Sequence, residues 1–180
     1  MLRLVVAEHA HHEHWKPQRN IRDYLPLIVI VLIAMLTAFA LQWGQGRFEP
    51  RMWMRYFMGI FLVIFAMLKL FDLPGFADGF QMYDLIAKRF RPYALAYPFI
   101  ELLLGLASLA GVFPMLTNLV LLVIMVIGAM GVFDALRKGL DVACACLGTV
   151  LIVPLSTVAV IEDVGMATMA ALMLLLGGTG

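Results

Sequence analysis

Residues 115–133 read MLTNLVLLVIMVIGAMGVF, a run without one charged side chain, preceded by Pro114 and closed by Asp134. As a helix this run is about as long as the hydrocarbon core of a bilayer is thick. A soluble fold cannot cover so much continuous apolar surface, so the stretch reads as a membrane-spanning helix. Working outward, comparable runs with few charges cover residues 24–43, 52–71, 93–112 and 157–176, each bounded by charge, Pro or Gly. The expected fold is an all-α membrane protein of five transmembrane helices. The first has Tyr24 and Trp43 at its ends, where amphipathic rings favour the two interfaces.

Composition agrees. Of 180 residues, 63% are hydrophobic and 14% charged, against about 25% charged in soluble domains, and the mean hydropathy is +0.96. The net charge of +1 gives no reason to expect a nucleic-acid partner; the lipid bilayer is the expected one. The apolar stretch from Leu2 to Ala7, interrupted by Arg3, is too short for the core of a secretory signal. Thirteen methionines read as core and lipid-facing filler. Residues 1–23 form a polar, His-rich head before the first span. In the longer loop from Asp72 to Pro92, a short amphipathic helix is expected over Gly79–Phe90. Phe80, Tyr83, Ile86 and Ala87 would share one face, with Asp84, Lys88 and Arg91 on the other.

Basic residues near span ends set orientation. With five spans, Arg3, Lys16, Arg19, Arg22, Lys88, Arg89, Arg91, Arg137 and Lys138 fall on one side, and Arg47, Arg51 and Arg55 on the other. That bias places the N-terminus and the loop after Phe133 in the cytoplasm.

Ionisable groups inside spans are costly and tend to face the bundle interior. Lys69 lies near the end of the second span, Glu101 about 12 Å into the third, and Glu162 and Asp163 near the start of the fifth. All fall in one membrane half, and consecutive antiparallel helices could bring Lys69 and Glu101 together as an ion pair. Two readings stay open: a tie between helices, or a charged setting for thiol or proton chemistry. Pro98, Gly105 and Ser108 share the Glu101 face and allow close helix approach.

Cys144 and Cys146, in Cys-Ala-Cys, follow the cations Arg137 and Lys138. Cationic neighbours favour the thiolate, which is the form that exchanges disulfides and binds metal. An i, i+2 pair could close a small, strained and therefore labile disulfide or capture Cu(I) or Hg(II) through two sulfurs. It could also be two small buried hydrophobes. His9, His11, His12 and His14 are candidate metal ligands, because short His-rich tracts bind Zn, Cu or Ni; a solvated polar tail is the plain alternative. A soft metal ion is thus the one cofactor the residues suggest.

Three blocks carry a family resemblance. Arg55-Tyr56-Phe57-Met58-Gly59-Ile60-Phe61 with Lys69-Leu70-Phe71-Asp72 resembles the opening of DoxX-like membrane proteins. Tyr97-Pro98-Phe99-Ile100-Glu101-Leu102-Leu103-Leu104-Gly105 resembles their Pro-x-x-Glu-x-x-x-Gly helix. Asp141-Val142-Ala143-Cys144-Ala145-Cys146-Leu147-Gly148 resembles the Cys-x-Cys-x-Gly loop of the methylamine-utilisation MauE branch, with Leu147 where that loop usually has an aromatic. The resemblance implies a core over residues 52–176 whose four spans form a DoxX-like bundle, in a bacterial inner membrane. It also implies a redox-associated role: thiol–disulfide or electron exchange through Cys144 and Cys146, in the manner of a thiol–disulfide oxidoreductase, supporting maturation of a partner protein. Lys69 and Glu101 would occupy the family's intramembrane polar positions. The alternative function is a soft-metal accessory that collects an ion at the four histidines and passes it to the cysteines.

Overall fold

A computed structural model describes residues 24–44, 46–138 and 155–177. The head at 1–23, with His9, His11, His12 and His14, lies outside the described residues, as does the segment 139–154 with Cys144 and Cys146.

The described residues form six helices and no strand: α1 Leu25–Trp43, α2 Pro50–Phe71, α3 Leu73–Phe80, α4 Arg91–Ala110, α5 Pro114–Arg137 and α6 Leu155–Gly177. All but α3 are long and apolar enough to cross a membrane. Proline at the first or second position starts α1 through α5; its fixed φ suits that place and its missing N–H has no helical partner there anyway. Gly111, left-handed at φ 67°, ends α4.

The packing is that of a membrane bundle. Leu32, Leu36, Leu103, Phe133 and Leu175 point outward, which suits acyl chains and not water. The contacts that dominate are α5 with α6, α2 with α4, and α1 with α2. Gly59 and Gly105 face each other where α2 meets α4: a Cβ on Gly59 would lie 2.9 Å from the Gly105 carbonyl oxygen, and one on Gly105 would lie 3.1 Å from that of Gly59. The turn from α1 to α2 is clamped by buried Gln42, whose Nε2 donates to the Glu49 carbonyl at 2.8 Å while its Oε1 accepts from the Glu49 N–H at 3.3 Å.

The loop between α2 and α4 departs from the expected helix over 79–90. The helix lies earlier, at 73–80, where the Asp72 carboxylate caps it by accepting the Gly75 N–H at 3.1 Å. Residues 81–89 are turns apart from Asp84 itself. Asp84, expected on the polar face, is fully buried. Its Oδ1 accepts the N–H groups of Ile86 and Ala87 at 2.9 and 2.8 Å, a local bond pattern that competes with helix. Gly131 on α5 lets this loop approach, since a Cβ there would meet the Tyr83 carbonyl at 2.7 Å. The loop therefore folds onto the end of the bundle, against α5.

Candidate functional site

Lys69 is the third residue from the end of α2, a register that continues the buried stripe of Leu62, Phe65 and Ala66. Its stem is thus carried into the core, and the ammonium is 2% exposed. Glu101 reaches the same level from α4, on the face with buried Pro98, Gly105 and Ser108. Glu162 reaches it from α6, on the stripe of Val158, Ala159, Met166 and Ala170. Because α2 runs opposite to α4 and α6, the end of one and the beginnings of the other two share one half of the bundle. The Lys69 Nζ donates to Glu101 Oε2 at 2.7 Å and to Glu162 Oε1 at 2.6 Å, with both carboxylates almost fully buried.

Aromatic rings wall the ammonium. Its Nζ lies 5.3 Å from the Tyr97 ring centre, 5.7 Å from that of Phe76 and 5.8 Å from that of Phe65, all within cation–π range. These rings keep water out, so each short bond acts in a poorly screening medium. The shared Nζ thus holds the Glu101 and Glu162 carboxyls next to each other. Asp163, buried beside them on α6, rests against Gly128 of α5, where a Cβ would come within 2.9 Å of its Oδ2.

The bundle end nearest this cluster carries exposed ion pairs, Arg91 with Asp78 at 2.8 Å and Lys138 with Asp134 at 2.6 Å. Such pairs contribute about 1 kcal/mol or less. Buried Asp84 belongs to the same end. Burial pushes its carboxyl above the ordinary range, against the opposing pull of the Ala87 and Ile86 N–H groups and the Lys88 charge.

The structure thus joins Lys69 with Glu101, as the sequence led us to expect, and adds Glu162 as a second carboxylate on the same ammonium. The sequence reading noted Glu162 only as a stranded charge, and it missed the walls Phe65, Phe76 and Tyr97. The spacing of Glu162 from Val158 and Met166, one turn to either side, carried the missing signal. The candidate residues Cys144, Cys146, His9, His11, His12 and His14 lie outside the described residues. Among the described residues, no group of three or more His, Cys, Asp or Glu side chains is placed to hold a metal ion.

The family model described as methylamine utilisation protein MauE matches residues 47–176. The chain belongs to the MauE family. With five apolar helices, this MauE-family chain is a multi-pass membrane protein. The match runs from the loop before α2 to the last turn of α6, so it takes in Lys69, Glu101, Glu162 and the Cys144-Ala-Cys146 segment, and leaves out α1 and the His-rich head. No curated protein and no solved structure matches the chain significantly.

Proposed function

We propose that this protein serves methylamine utilisation as a membrane-embedded thiol–disulfide exchanger that matures a partner protein through Cys144 and Cys146. The observation that carries the reading is the family match across 47–176, which includes a Cys-x-Cys pair following two cations, Arg137 and Lys138. In the proposed step a cysteine thiolate attacks one sulfur of a partner disulfide. That S–S bond breaks, a mixed disulfide forms, and the partner's other sulfur leaves as a thiolate. The second cysteine gives up its proton and attacks the mixed disulfide. The products are a Cys144–Cys146 disulfide and a partner dithiol, with two electrons passed to the partner; run backward, the same exchange oxidises the partner.

Lys69 and Glu101 set the local charge in this reading. Residues 52–176 act as the DoxX-like core, α1 and the head are additions to it, and the protein sits in the bacterial inner membrane with its N-terminus in the cytoplasm. The basic residues near the span ends support that orientation.

Trapping tests the exchange. A Cys146→Ala variant, which lacks a resolving thiol, is expected to accumulate a mixed disulfide with its partner that reductant releases. Absence of any adduct from both Cys146→Ala and Cys144→Ala under oxidising conditions counts against it. Tight Cu(I) or Hg(II) binding that needs both the histidines and the cysteines would assign soft-metal handling instead.

A further inference from the structure

We propose that Lys69, Glu101 and Glu162 form a proton-binding site within the membrane, with one exchangeable proton held between the two carboxyl groups. The inference extends the preceding reading, in which each thiol must give up a proton before it attacks, yet it stands and falls without the cysteines.

Charge balance is the first ground. Two carboxylates share one ammonium, so the cluster carries a surplus negative charge if both are ionised. All three groups are about 2% exposed, and three aromatic rings close the space around the ammonium. An uncompensated charge in such a place is costly enough that a group neutralises instead.

Hydrogen bonding is the second ground. An ionised carboxylate only accepts. The Glu101 and Glu162 carboxyls both accept from the Lys69 Nζ, at 2.7 and 2.6 Å, so one donor holds the two acceptors together. Glu101 Oε1 is buried and has no hydrogen-bond partner. A proton on one carboxyl makes that group a donor as well as an acceptor and removes the charge surplus in the same act. The lysine then pairs with the carboxylate that stays ionised.

Among the described residues, the other titratable groups around the cluster come from three elements. They are Tyr97 and Tyr93 on α4 and Asp163 on α6, and beyond Tyr93 lies Asp84 in the loop with Lys88 beside it. Asp163 adds negative character. The helix α3 contributes Phe76, and α5 contributes Gly128 against Asp163.

Infrared spectroscopy of the protein in lipid nanodiscs at neutral pH reads the proton directly. The wild type is expected to show a protonated-carboxyl C=O band that shifts on exchange into heavy water. Glu101→Gln and Glu162→Gln, each leaving one carboxylate for Lys69, are each expected to lose it, while Asp163→Asn keeps it. Isotope labelling of glutamate in the wild type must move the band and labelling of aspartate must not, which holds the test open if a variant fails to fold. Absence of the band from wild type, its survival in either glutamate variant, or its movement with labelled aspartate alone overturns the proposal. So does a sodium-dependent stabilisation of the wild type that Glu101→Gln abolishes, because the bound species would then be a metal cation. The trapping result can fail while this one holds, and the reverse.

Discussion

Replacing Lys69 by methionine is the sharpest perturbation of the cluster. Methionine keeps the unbranched stem and removes the ammonium, so the loss is electrostatic in the main. Two buried carboxyl groups, bonded at 2.7 and 2.6 Å in the wild type, lose their shared cation, and the ionised one is left without a partner charge. Removing one partner of a buried pair costs about 3–5 kcal/mol, so Lys69→Met should lower the folding equilibrium constant roughly a thousandfold. The triple variant Lys69→Met with Glu101→Gln and Glu162→Gln carries no charge at the site, and it should regain most of that loss. It should not regain all, because three ring contacts to the ammonium at 5.3–5.8 Å are gone, together about 1–2 kcal/mol. Reversible unfolding in mixed micelles, run as a cycle over the three positions, measures each term. A Lys69→Met variant within about 1 kcal/mol of wild type, or a triple variant no more stable than the single one, would refute the reasoning.

Other consequences can be measured in the same system. Gly59→Ala forces a Cβ against the Gly105 carbonyl and should cost about 1–3 kcal/mol by overpacking, whereas Ile161→Ala, half-exposed toward lipid, should cost much less. Gly111→Ala places a side chain at φ 67° and should cost about 1–2 kcal/mol in thermal unfolding. Asp84→Ala removes the acceptor of two loop N–H groups and should destabilise the loop by about 1–3 kcal/mol, read as faster amide exchange at Ile86 and Ala87. Burial raises the Asp84 carboxyl above its ordinary value of 3.8, so its contribution is full below that value and is lost as pH rises through the raised one. Asp84→Asn, which keeps an acceptor and never ionises, should therefore gain on wild type as pH rises from that region, seen in the melting temperature against pH.

Much of the fold could be read from the chain because each span had to match the bilayer on its own. The Met115–Phe133 run needed no partner to declare itself, and α5 does span it. Lys69 and Glu101 were readable as a pair because consecutive antiparallel spans leave few places for stranded charges. The third member was harder: Glu162 and Asp163 are both buried, and which of them meets Lys69 depends on α6 rotation, set by packing against α5. The loop was misread for a physical reason. Period 3.6 over 79–90 suggested a helix, but Asp72 followed by Pro74 already marked an earlier start, and the Asp84 side chain bonds its own backbone in place of extending a helix. The aromatic walls could not be foreseen, since Phe65, Phe76 and Tyr97 come from three helices and read singly as ordinary core.

We propose that Lys69 and Glu101 set the local charge for thiol chemistry at Cys144 and Cys146. The redox midpoint of Cys144–Cys146, set with glutathione buffers and read by alkylation mass shift in nanodiscs, tests it most directly. The expected result is a reversible two-electron couple whose midpoint moves in Glu101→Gln while helical content stays unchanged. Thiols that never pair, or a couple indifferent to Glu101, would contradict it.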